Sequence, residues 1–103
     1  MDIEKKFLLT SLFDFYGALL TEKQQAIFNS YIVEDYSLKE TSEVFDVSRS
    51  AVFDAIQKIE SHLLHYESLL KLHEKSQARK ALLDELETKV DSLTMKKLRE
   101  LEE

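Results

Sequence analysis

The chain contains no cysteine, no proline and a single glycine among its 103 residues. Without cysteine there can be no disulfide, thiolate zinc site, iron–sulfur cluster or cysteine nucleophile. All-β folds spend proline and glycine on their turns, so the scarcity of both points to helices joined by short, polar-capped connections. The lone glycine, Gly17, also excludes a glycine-rich loop that cradles phosphate. No apolar stretch approaches the roughly 20 residues needed to cross a bilayer, so membrane insertion is not expected. The opening Met1-Asp2-Ile3-Glu4 has no basic region followed by an apolar run. A signal peptide is therefore not expected, and the expected compartment is the cytoplasm.

Positive charge is also in short supply. Fourteen lysines and arginines face twenty aspartates and glutamates, for a net charge of −6. Non-specific affinity for nucleic acid comes mostly from cations that neutralise phosphates, and this chain as a whole repels a polyanion. What is abundant is patterned apolar surface. An apolar content of 44% beside 33% charged residues suits a folded protein rather than a disordered one.

Ile3, Phe7, Leu8, Leu12, Phe15, Tyr16, Leu19 and Leu20 recur at helical spacing, which predicts a first helix from about Asp2 to Leu20. Thr21-Glu22-Lys23-Gln24 has the form of a capping box and opens a second helix to about Val33, with Ala26, Ile27, Ser30 and Tyr31 on one face. Ser37-Leu38-Lys39-Glu40 is another capping box, opening a short helix that ends near Phe45. Asp46 stands where a tight turn needs a left-handed residue, which aspartate tolerates better than most. Ser48 is a good N-cap for a long fourth helix to about Leu72, whose stripe is Val52, Ile56, Ile59, Leu63, Tyr66 and Leu70. A break is expected near Glu74 to Ser76. Leu82, Leu83, Leu86, Val90 and Leu93 then mark a fifth helix, with a charge-rich end after Met95 expected to fray. The expected fold is all-α with about five helices. Residues 1–73 form the main domain and 74–103 a C-terminal helical extension.

A short helix, a three-residue turn and a longer helix, within about 21–66, form a helix-turn-helix unit. Leu38, Val44, Val47, Val52 and Ile56 are its expected small core. An ordinary αα-corner with the same caps is the plain alternative. Leu20-Thr21-Glu22-Lys23-Gln24-Gln25, Ser37-Leu38-Lys39-Glu40 and Val47-Ser48-Arg49 together resemble region four of sigma factors. The longer strings Tyr16-Gly17-Ala18-Leu19-Leu20-Thr21-Glu22-Lys23-Gln24, Glu34-Asp35-Tyr36-Ser37-Leu38 and Phe45-Asp46-Val47-Ser48-Arg49-Ser50-Ala51-Val52-Phe53-Asp54 resemble the YlxM family of small bacterial helix-turn-helix proteins. The resemblance spans Asp2 to about Leu83. It implies a non-enzymatic accessory or regulatory factor of the signal recognition particle pathway, with the particle's GTPase or its RNA as partner. The sigma-like fold also implies DNA binding as an alternative. Thr41, Ser42 and Asp46 depart from the general sigma pattern of an aliphatic residue, an alanine and a glycine, which loosens the small core and adds a negative charge at the turn.

Lys39, Arg49, Ser50, Gln57 and Lys58 are the candidate nucleic-acid contacts. Yet from Ser37 to Glu60 three cations oppose Glu40, Glu43, Asp46, Asp54 and Glu60, and Asp54 lies at the middle of the fourth helix's outer face. A dedicated DNA-binding face has a basic footprint, so contact with protein or ribonucleoprotein is the first reading and a DNA-binding regulator the second. Phe53 and Leu64 form a second apolar edge on the fourth helix, which needs a cover. The cover is either the fifth helix folding back or a second copy in a homodimer, with Leu83, Leu86 and Val90 completing the candidate interface. His62 and His65 sit one turn apart on a solvated face and are not expected to bind metal. Lys96, Lys97 and Arg99 beside Glu100, Glu102 and Glu103 read as a solvated helix end, with an acidic partner or RNA as the sharper alternative. Nothing resembles a nucleophile–base–orienter set, so no catalytic residue, cofactor or small-molecule substrate is expected.

Overall fold

The computed structural model describes residues 1–102 and contains six α-helices and no strand among them. Helix α1 spans Ile3–Tyr16, with the Asp2 side chain accepting from the Lys5 amide. It tightens into a 3₁₀ turn over Gly17–Leu19, earlier than the expected end at Leu20. The packing at Gly17 is close. A β-carbon at Gly17 would stand 3.0 Å from the ring of Phe13, and that ring stacks on Phe28 with centroids 4.2 Å apart. Glycine is required here for space rather than for an unusual dihedral, since its φ is an ordinary −56°.

Helix α2 spans Glu22–Phe28, and the capping box forms in full between Thr21 and Gln24. The chain then widens into a π-helical turn over Asn29–Val33, an irregularity the uniform helical pattern does not reveal. Asp35 follows with φ 60° and ends the segment. Helix α3 spans Leu38–Phe45, with the second capping box between Ser37 and Glu40. Asp46 adopts the left-handed conformation, φ 54° and ψ 50°, and the Val47 amide returns to the Ser42 carbonyl at 3.0 Å. That bond and the one from the Asp46 amide to the Glu43 carbonyl at 3.4 Å satisfy carbonyls that the helix end would leave unpaired. Ser48 Oγ accepts from the Ala51 amide at 3.1 Å and caps helix α4, Arg49–Leu70.

The core of residues 1–70 is built from Leu9, Leu12 and Tyr16 of α1, Ile27 and Phe28 of α2, Ile32 of the π turn, and Val52, Ile56, Ile59 and Leu63 of α4, with Leu20 beside them. Tyr16 is buried and donates its hydroxyl to Glu67 Oε1 at 2.6 Å, so a polar tip inside an apolar body finds its partner. The small core of α3 and α4 differs from expectation at one residue. Val44 is 60% exposed, whereas Phe45 packs partly against the core. Thr41 and Ser42 occupy the buried arc instead. Their hydroxyls donate to the Ser37 and Lys39 carbonyls of the same helix, at 2.9 and 2.7 Å. Backbone pairing of this kind lets a polar side chain stand where an aliphatic one is usual.

The remainder corrects the expected boundaries. Helix α4 stops at Leu70, Leu70 itself is exposed, and the break falls at Lys71, which adopts φ 55°, rather than near residues 74–76. Helix α5 runs over Leu72–Leu86, and a sixth helix, α6, covers Ser92–Glu100 where a fraying end was expected. Asp91 starts α6, accepting from the Thr94 amide and hydroxyl, each at 2.9 Å. These bonds hold the Asp91 carboxyl below its ordinary value, with the Thr94 amide the largest cause. Leu93, expected within a fifth helix, lies exposed on α6. By its contacts the chain forms two compact units, Met1–Leu70 and Lys71–Glu103. Within the second, Arg79 pairs with Glu102, and Arg99 with Asp84 and Glu87. Leu83, Met95 and Ser76 are buried.

Candidate functional site

A helix-turn-helix presents the start and outer face of its second helix to a partner. Here the three-residue turn Asp46-Val47-Ser48 joins α3 to α4, and Arg49 is the first residue of α4. Arg49 and Ser50 are exposed at that helix start, and Ser50 Oγ lies 3.1 Å from Ser48 Oγ. Gln57 and Lys58 line a shallow depression of about 340 Å³ together with Asp54, Ser61 and His62. Lys39 is exposed on α3 and lies outside that depression. Four of the five candidate contacts thus occupy α4 with a carboxylate, that of Asp54, set among them.

The division into units sharpens the charge. Residues 1–70 hold six lysines and arginines against twelve aspartates and glutamates, while residues 71–103 hold eight of each. The entire net charge of −6 therefore belongs to the first unit, Met1–Leu70, which contains the helix-turn-helix. Two of its six cations are already paired, Lys5 with Glu60 at 3.0 Å and Lys6 with Asp35 at 3.4 Å. Glu40 and Glu43 are exposed on α3, and Asp46 and Asp54 on the turn and on α4. Composition shows the acidity of the whole. The boundary at Lys71 assigns all of the excess to the first unit.

Phe53 is 50% exposed and Leu64 44% exposed, both off the buried stripe of α4. In the second unit Leu83 is buried, Val90 is half-buried and Leu86 is exposed. The His62 and His65 rings lie against Tyr66, with centroids 6.3 Å away in each case. No group of three or more potential metal ligands occurs among the described residues, and no helix there is long and apolar enough to cross a membrane.

A groove that the spacing of residues does not announce lies where the start of α1 meets α3 and α4. Two open clefts, about 410 and 550 Å³, share Met1, Tyr31 and Leu38 as a common wall. The first reaches Phe53 and Glu60, and the second reaches Ile3, Asp35 and Glu40. Only the exposed aromatic Phe53 hints at it in sequence.

Over residues 3–102 the chain matches the UPF0122 family, described as "Putative helix-turn-helix protein, YlxM / p13 like". It is 51% identical over 76 residues to a UPF0122 protein of Caldanaerobacter subterraneus subsp. tengcongensis, covering 73% of this chain and 65% of that relative. A UPF0122 protein of Geobacillus sp. is 40% identical over 107 residues, covering 98% of this chain and 97% of the relative. One from Lactococcus lactis subsp. cremoris is 41% identical over 105 residues, covering 100% and 95%.

Proposed function

The chain belongs to the UPF0122 family of YlxM / p13-like helix-turn-helix proteins, and on that premise we propose that it is a non-enzymatic accessory factor of the signal recognition particle pathway that acts by binding protein. The observation behind this reading is the charge of the first unit, which contains the helix-turn-helix. Its excess of six carboxylates, with Asp54 in the middle of the α4 outer face, opposes the approach of phosphates. The same repulsion applies to RNA, so of the two partners implied by the family resemblance the GTPase is favoured over the particle's RNA. The test is the affinity of the full chain for the GTPase, measured with and without the RNA. Binding tighter than tens of micromolar that persists without RNA supports the reading. Absence of binding at that concentration overturns it.

The second reading is a DNA-binding regulator, favoured by Arg49, Ser50 and Gln57 exposed on a correctly turned and capped α4, with Lys39 and Lys58 as phosphate contacts. It predicts a mobility shift on DNA upstream of the gene, with a steep loss of affinity as salt rises. Arg49→Ala then abolishes the shift.

Self-association is a separate element of the proposal. Leu64 in the first unit, and Leu86 with Val90 in the second, offer exposed or half-buried apolar surface to a second copy. Light scattering at micromolar concentration checks it, a dimer mass being expected and a monomer mass contradicting it. The work of the chain in this account belongs to the cytoplasm, where the targeting pathway's GTPase acts.

A further inference from the structure

We infer that the groove between the start of α1, α3 and α4 binds a cationic amphipathic helix of a partner protein. This rests on the protein-binding reading above and names the surface and the chemistry it accepts.

The groove has a mixed lining, with apolar side chains set among polar and charged ones. Tyr31 and Leu38 form the shared wall of its two clefts, with Phe53 at one end and Ile3 at the other. Ile3 is 70% and Phe53 50% exposed in the full chain, so nothing within the described residues covers them. Two adjoining open clefts suit side chains that project at intervals of three and four residues from a docked helix. A small ligand would want one cavity that encloses most of its surface.

Charge decides which helix. The lining includes Asp2, Asp35, Glu40 and Glu60 against Lys5, Lys6 and the Met1 amine. Lys5 and Lys6 pair with Glu60 and Asp35, which leaves Asp2 and Glu40 against the Met1 amine, a local excess of one carboxylate. Beyond the groove, the first unit as a whole carries an excess of six carboxylates, and its potential extends over about one Debye length of roughly 8 Å at physiological salt. A polyanion is repelled by this arrangement. A second copy brings the same acidic first unit and so no complementary charge to this groove. A helix with an apolar stripe and lysine or arginine flanks meets complementary surface in both respects.

The test uses the full chain and two synthetic helical peptides of about 18 residues, five turns, one of leucine and lysine and one with glutamate replacing lysine. Amide chemical shifts are followed on titration at physiological salt. The expected result is binding of the lysine peptide alone, with the largest shifts at Tyr31, Leu38 and Phe53. Phe53→Ser, at an exposed site, is expected to weaken binding roughly tenfold while leaving helix content and melting temperature unchanged. Leu69→Ser, at an exposed site outside the groove, leaves the affinity as it was. Equal binding of both peptides, shifts elsewhere, a silent Phe53→Ser, or a dimer that buries Phe53 would each overturn the inference. If the peptide occupies the groove but the GTPase does not bind, the targeting reading fails and the groove stands. If the GTPase binds through another surface, the reverse holds.

Discussion

The two units of this chain are built on different terms. Residues Met1–Leu70 close around eleven buried apolar side chains drawn from α1, α2, the π turn and α4, with Leu20 between the first two helices. Residues Lys71–Glu103 bury Leu83, Met95 and Ser76 and rely on ion pairs at Arg79 and Arg99 and on the Asp91 cap. The first unit is strongly acidic and the second electrically neutral. Apolar burial of about 1.5–3 kcal/mol per large side chain far outweighs exposed ion pairs of about 0–1 kcal/mol. The first unit is therefore held mainly by apolar burial, and the C-terminal pair leans more on its cap and its exposed ion pairs, which salt weakens.

Four substitutions probe that contrast, in decreasing order of effect. Phe28→Ala removes one face of the Phe13–Phe28 stack from the core and is expected to cost about 3–5 kcal/mol, read as a large fall in the melting temperature of the first unit. Gly17→Val drives a branched side chain into the Phe13 ring and is expected to cost about 1–3 kcal/mol in the same melt. Asp46→Gly relieves a left-handed non-glycine residue and is expected to stabilise the helix-turn-helix by about 1 kcal/mol. It also removes a negative charge, so unchanged DNA affinity in that variant would strengthen the protein-binding reading. Arg99→Ala removes two exposed ion pairs and is expected to cost less than about 1 kcal/mol. Its effect should appear as faster hydrogen exchange in α6, with residues 1–70 unaffected.

Acid separates the units in the same way. The Asp91 carboxyl has a lower pKa folded than unfolded. Its contribution is therefore complete above the ordinary aspartate range and is lost as pH falls through the depressed folded value. Amides of α6 are expected to lose protection in acid, and Asp91→Asn is expected to flatten that dependence.

Much of the first unit was legible in sequence because its signals are local. Thr21 with Gln24 and Ser37 with Glu40 specify two helix starts, and both capping boxes form. Asp46 and Ser48 specify the turn. The stripe from Val52 to Leu63 specifies the buried side of α4. The failures have physical reasons. Lys71 takes a left-handed conformation without glycine or proline to mark it, so the helical pattern in the sequence runs past the true end of α4 at Leu70. Asp91 and Thr94 do mark the start of α6, but the apolar series from Leu82 to Leu93 bridges the break and conceals it. Val44 sits on the exposed side because Thr41 and Ser42 satisfy their hydroxyls on their own helix and take the buried arc. The groove beside Phe53 depends on residues from three helices and on tertiary placement, which local pattern does not encode.

The most direct test compares two affinities in one buffer: the full chain against the signal recognition particle GTPase, and against duplex DNA from upstream of the gene, each across a salt series. The account predicts binding to the GTPase tighter than tens of micromolar and no specific binding to the duplex. Specific DNA binding that falls steeply with salt and vanishes in Arg49→Ala, with no affinity for the GTPase, would contradict it.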